Sequence, residues 1–143
     1  MKPHTLLYFL VLTPLFLTGC KVEPEAIQFG SDHCAYCKMT ISDSKFGAEL
    51  VTKKGRIYKF DAVECMVPFM MENPSEYAHI MAVAYDEPGE LLPVEETHFL
   101  IADEIRSPMG ANLAVFKNSL KGLELFPLSK AYSWEDLKLY FVP

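Results

Sequence analysis

Strand-like apolar runs at Phe46–Thr52 and Arg56–Phe60 flank the turn residues Lys53-Lys54-Gly55, which predicts a hairpin. The spacing then changes. Val63, Met66, Val67 and Met70 fall on one helical face, so a helix follows, with Asp61 as its expected cap and Glu64 three residues on as the partner of a capping box. Pro68 is expected to kink or shorten this helix, and Asn73-Pro74 to end it. His79–Tyr85 reads as a strand, and the acidic stretch Asp86–Glu96, with Pro88, Gly89 and Pro93, as a loop or a join between halves. Beyond it, His98–Ala102 and Leu113–Phe116 are strand-like and are separated by Ser107-Pro108-Met109-Gly110. A short helix near Ser119–Phe126, a strand near Ser129–Tyr132 and a helix over Trp134–Phe141 complete the chain. Strand, strand, helix, strand thus occurs twice without a residue-level repeat, and the fold class predicted is α+β.

The first residues follow a different pattern. Lys2 precedes a nearly unbroken apolar run, Leu6–Leu17, that is too short to span a bilayer as a stable helix. Leu17-Thr18-Gly19-Cys20 follows, and this resembles the lipobox of bacterial lipoproteins. Residues 1–19 are therefore expected to be a cleaved signal peptide, and Cys20 the acylated first residue of the mature chain. Residues 20–31, with Pro24, Gly30 and two glutamates, read as a lipid-anchored linker that lifts the domain off the membrane. The protein is accordingly placed in a bacterial cell envelope, facing the periplasm or the cell exterior. Loss of Lys2 takes the formal charge from −6 to −7, which argues against nucleic acid as a partner and against charge-driven binding to anionic lipid.

Acylation of Cys20 leaves Cys34, Cys37 and Cys65, an odd number for an exported protein, so at least one thiol is free for chemistry or metal. The run His33-Cys34-Ala35-Tyr36-Cys37-Lys38-Met39 concentrates soft sulfur donors, which suit Cu(I). Cys34 and Cys37 have the spacing of metal knuckles and of redox dithiols. Cys37 and Met39 would share a face if the segment were extended. Met109, between Pro108 and Gly110, is the best third ligand, because a rigid turn can hold its thioether outward. His33 is the nearest imidazole; His79 and His98 are more distant. Met66, Met70, Met71 and Met81 read as core filling. Cys65 reads as a buried inert thiol that could fold back toward the other two.

Cys37-Lys38-Met39, Lys45-Phe46-Gly47-Ala48, Phe60-Asp61 and Ser107-Pro108-Met109-Gly110, followed by Ala114-Val115-Phe116, resemble the signature of NosL-type lipoproteins over roughly Ser31–Tyr140. These are copper chaperones associated with assembly of nitrous oxide reductase. The resemblance implies two small ββαβ halves similar to those of organomercurial lyase, here residues 32–86 and 87–143. It also implies Cu(I) as cargo, Cys37, Met39 and Met109 as ligands with room for a histidine such as His33, no catalytic residues, and a recipient cuproenzyme or its assembly machinery as partner. Members often have one cysteine in the motif, so Cys34 and Cys65 are departures that could add a ligand, admit another metal or form a disulfide. Three further readings stand beside this one. They are a thiol–disulfide oxidoreductase using Cys34 and Cys37, a structural zinc site of Cys34, Cys37, Cys65 and one histidine, and a metal-free domain stapled by Cys34–Cys37.

Overall fold

β1 (Ala48–Thr52) is buried at every position, so the sheet containing it must be covered on both faces. In the computed structural model, which describes residues 22–141, β1 lies between β2 (Ile57–Phe60) and β3 (Tyr77–Ala84), and β4 (Glu87–Pro93) completes an antiparallel sheet of order β2-β1-β3-β4. The register places Leu50 opposite Tyr58 and Ala48 opposite Phe60. That face receives α1 (Val63–Glu72), whose Phe69 ring lies 4.8 Å from Tyr58 and 5.1 Å from Phe60. Glu49 and Val51 point to the other face, which the chain before the first strand covers. The Glu25 N–H donates to Glu49 Oε1 (2.9 Å), and His79 Nε2 hydrogen-bonds the Val22 carbonyl oxygen (3.1 Å). Ile27 is only 5 % exposed and packs on Gly47, where a Cβ would lie 2.9 Å from its Cδ1. From Val22 onward the expected linker is therefore a strap that closes the core, because a two-faced β1 leaves Ile27 an apolar seat. Residues 1–19 and Cys20 lie outside the described residues.

The second unit repeats the first. β5 (His98–Ile101), β6 (Leu113–Phe116), α2 (Ser119–Leu125) and β7 (Lys130–Tyr132) form an antiparallel sheet of order β6-β5-β7, the same second-first-third arrangement as β2-β1-β3. α3 (Trp134–Tyr140) packs its fully buried Leu137 and its Trp134 ring against β5, the latter 5.7 Å from Phe99. The Tyr85 N–H donates to the Val115 carbonyl (2.7 Å), joining the end of β3 to β6. Among the described residues no helix is long and apolar enough to cross a membrane.

Three expectations change. Asp86–Glu96, read as a loop, supplies β4 and a single 3₁₀ turn at Val94–Glu96. Leu91, Leu92 and Pro93 pair with Val83, Ala82 and Met81, so residues 87–93 belong to the first sheet rather than opening the second half. Without them β3 would be an open edge. The helix is not shortened at Pro68; it runs through to Glu72. The Asp61–Glu64 capping box does not form either. Ala62 is the N-cap residue and makes no side-chain cap, because both carboxylates are engaged in tertiary contacts.

Candidate metal centre

Residues 33–40 form a tight knuckle. His33 and Thr40 bridge, the Cys34 N–H donates to the Met39 carbonyl (2.8 Å), and the Lys38 N–H donates to the Cys34 carbonyl (3.1 Å). Lys38 takes the left-handed conformation (φ 68°), so Cys37 and Met39 are not on one face of an extended strand. The Lys38 ammonium hydrogen-bonds the Ala35 carbonyl across the turn. Two contacts seat the knuckle: the Ala35 N–H donates to the Lys59 carbonyl on the free edge of β2 (2.7 Å), and the Tyr36 hydroxyl donates to Glu72 at the end of α1 (3.1 Å).

This turn aims backbone donors at sulfur. The N–H groups of Asp61, Cys37 and Tyr36 point at the Cys34 sulfur, and that of Met39 at the Cys37 sulfur. Such bonds favour thiolates, the metal-binding form. α1 brings the third thiol, because Cys65 stands in its first turn directly over the knuckle. The three sulfurs lie within 4.8 Å of one another, and all three cysteines are free. A metal–thiolate bond of about 2.3 Å puts the corners of a planar three-sulfur site about 4.0 Å apart. A small contraction would therefore seat one ion.

Cys34 and Cys65 are fully buried, whereas Cys37 is half-buried and opens the group to solvent. The Cys65 thiol donates to Cys34, and with the backbone donors this holds Cys34 down to about 4. Cys65 is pushed far up by donating that bond and by burial, and Cys37 is raised, mainly by burial. The trio thus holds one thiolate and two thiols. Beside it, burial and then the Cys34 charge raise the Asp61 carboxyl, which accepts a hydrogen bond from the Ser42 N–H.

The other expected ligands are placed as follows. Met39 and Met109 are each about half exposed, at 49 % and 47 %. The Met109 turn docks on α1, with its N–H 2.7 Å from Glu64 Oε1, one residue from Cys65. No histidine joins the sulfur group among the described residues. His33 is exposed beside Asp32, His79 is held on Val22, and His98 is exposed at the start of β5. Cys65, expected as an inert buried thiol that could fold back toward Cys34 and Cys37, does join them, and Glu64, expected as a capping-box partner, instead holds the Met109 turn. Their signal is a capping-box glutamate followed at once by a cysteine, Asp61-Ala62-Val63-Glu64-Cys65.

The NosL family model matches residues 26–122. Among solved structures, the crystal structure of the copper chaperone NosL from Shewanella denitrificans aligns with a TM-score of 0.67 at 15 % identity, covering 81 % of this chain and 96 % of that one. A comparison with curated proteins returns no match.

Proposed function

This chain belongs to the NosL family, a non-enzymatic family of copper chaperones, and from that premise we propose that it binds one Cu(I) at Cys34, Cys37 and Cys65 and carries it outside the cytoplasm to a recipient cuproenzyme. The observation that supports this most is the gathering of three free sulfurs within 4.8 Å from a backbone-braced knuckle and a helix turn. Soft thiolates in low coordination suit Cu(I). The half-buried Cys37 leaves one side open, and the thioether of Met109 closes that side. Met39, on the rim, meets the ion as it enters and leaves. Transfer proceeds as a partner's ligands replace these one at a time, without turnover chemistry. Nitrous oxide reductase or its assembly machinery is the recipient that the family suggests.

The protein is exported and tethered through a lipid on Cys20. Cys20 precedes Val22 by two residues, a reach of at most about 7 Å, and Val22 is held by His79, opposite Val51. The thiols gather at the other end of that sheet, where β2 passes into α1. A tether at the Val51 end therefore presents the copper site away from the bilayer.

A structural zinc site wants a fourth ligand, and among the described residues no histidine joins the three cysteines. A redox dithiol characteristically opens a helix, whereas Cys34 and Cys37 close a turn. Anaerobic titration of reduced protein against a chromogenic Cu(I) chelator tests the proposal. One equivalent withheld from the chelator is expected; no competition would end the copper reading.

A further inference from the structure

One buried carboxylate of the first half gathers three donors from the second. Glu64 is 6 % exposed and directly precedes Cys65 in the first turn of α1. Its Oε1 accepts the Met109 N–H (2.7 Å), and its Oε2 accepts both the Ala111 N–H (2.8 Å) and the Ser107 hydroxyl (3.2 Å). Ser107 Oγ in turn accepts the Leu113 N–H (3.3 Å), which ties the turn to the start of β6. Gly110 and Asn112 take left-handed conformations (φ 80° and 57°), and these bend the chain so that its donors converge. Three donors from one five-residue turn on one buried carboxylate are far more than helix capping requires.

We propose that Glu64 is a positioning residue of the copper site, holding the Met109 turn against the helix turn that carries Cys65 so that the second half of the chain contributes its thioether to the ion. The inference rests on Met109 being a copper ligand. Partners that orient a ligand commonly govern metal affinity as strongly as some ligands do. Glu64 acts through the Met109 backbone and does not touch the metal.

Glu64→Gln is the informative variant. It keeps the volume but has one acceptor oxygen in place of two, so either the Met109 N–H or the Ser107–Ala111 pair faces an amide NH₂. The test compares full-length wild type, Glu64→Gln, Met109→Ala and the double variant by anaerobic chelator competition and copper X-ray absorption. Glu64→Gln is expected to weaken Cu(I) binding by about tenfold, to lose the same sulfur signal as Met109→Ala, and to add nothing further in the double variant. Losses that multiply in the double variant would overturn the proposal. So would a Glu64→Gln protein with lowered thermal stability but unchanged affinity and spectrum, since that marks a purely structural anchor. If Met109→Ala alone changes neither affinity nor spectrum, the Met109 ligand reading fails, and this inference with it. Should Glu64→Gln not fold, Ser107→Ala removes one of the three donors and is expected to shift affinity and spectrum in the same direction by less. Unchanged affinity and spectrum there would equally overturn the role.

Discussion

The Cys65 thiol donates a hydrogen bond to the Cys34 sulfur and so links the first turn of α1 to the knuckle before any metal arrives. The two residues are far apart in sequence, and neither element can hold a three-sulfur site alone. Folding of the first half therefore assembles the site, with the three sulfurs within 4.8 Å of one another.

Replacing Cys65 with serine keeps a donor for Cys34 and removes one sulfur. Cys65→Ser is expected to fold normally and to weaken Cu(I) binding on the order of a hundredfold or more, beyond the usual cost of outer-shell changes. Cys37→Ser is expected to cost at least as much, since it removes the most exposed of the three thiols. Chelator competition beside thermal unfolding of the metal-free proteins checks both statements.

Copper uptake is expected to release two protons near neutral pH. Cys34, held down to about 4, is already ionised there, whereas Cys65 and Cys37 are both raised and must each give up a proton. Affinity therefore rises with pH, by about tenfold per unit for each proton displaced. Proton release measured at constant pH on adding Cu(I) checks this. Ultraviolet absorbance of the metal-free protein is also expected to show one thiolate that disappears near pH 4 and is absent from Cys34→Ser.

Glu49 gives the strap a pH dependence of its own. It is fully buried, its Oε2 has no partner, and burial raises its carboxyl above the ordinary 4.5. A raised acid favours folding in its neutral form. Its contribution is thus complete below pH 4.5 and is lost as pH rises through the elevated value. Glu49→Gln removes that loss. Relative to wild type, the variant is expected to gain stability between acidic and mildly alkaline pH, as read by urea unfolding across that range.

Gly122 decides how closely α2 approaches the second sheet. A Cβ there would lie 2.5 Å from Leu100 Cδ1 and 2.9 Å from Phe116 Cγ. Alanine improves helix propensity by about 1 kcal/mol, but overpacking costs about 1–3 kcal/mol. Gly122→Ala is therefore expected to be net destabilising, with a lower thermal midpoint and unchanged Cu(I) affinity.

Local patterns foretold most of the secondary structure. Leu113–Phe116 is a strand over its whole expected length, and both strand–strand–helix–strand units are present. The misses share a physical reason. β4 carries Pro88, Gly89 and Pro93, and these masked a strand whose identity comes from the open edge of β3. Ile27 in a Pro- and Glu-containing segment gave no sign of the β1 face awaiting it. At the site, Cys34 and Cys37 were legible from spacing. Cys65 was legible only as a thiol that could fold back toward them, because a thiol on an apolar helix looks like core until the knuckle folds over it. Lys38 at a positive φ is likewise a tertiary result, since nothing in lysine favours that conformation.

Copper X-ray absorption on the reduced, anaerobically loaded protein tests the three-sulfur centre most directly. A sulfur-only environment with short bonds of about 2.3 Å, diminished in each of Cys34→Ser, Cys37→Ser and Cys65→Ser, is the predicted result. A histidine nitrogen bound to the ion, or a wild-type spectrum retained in Cys65→Ser, would contradict it.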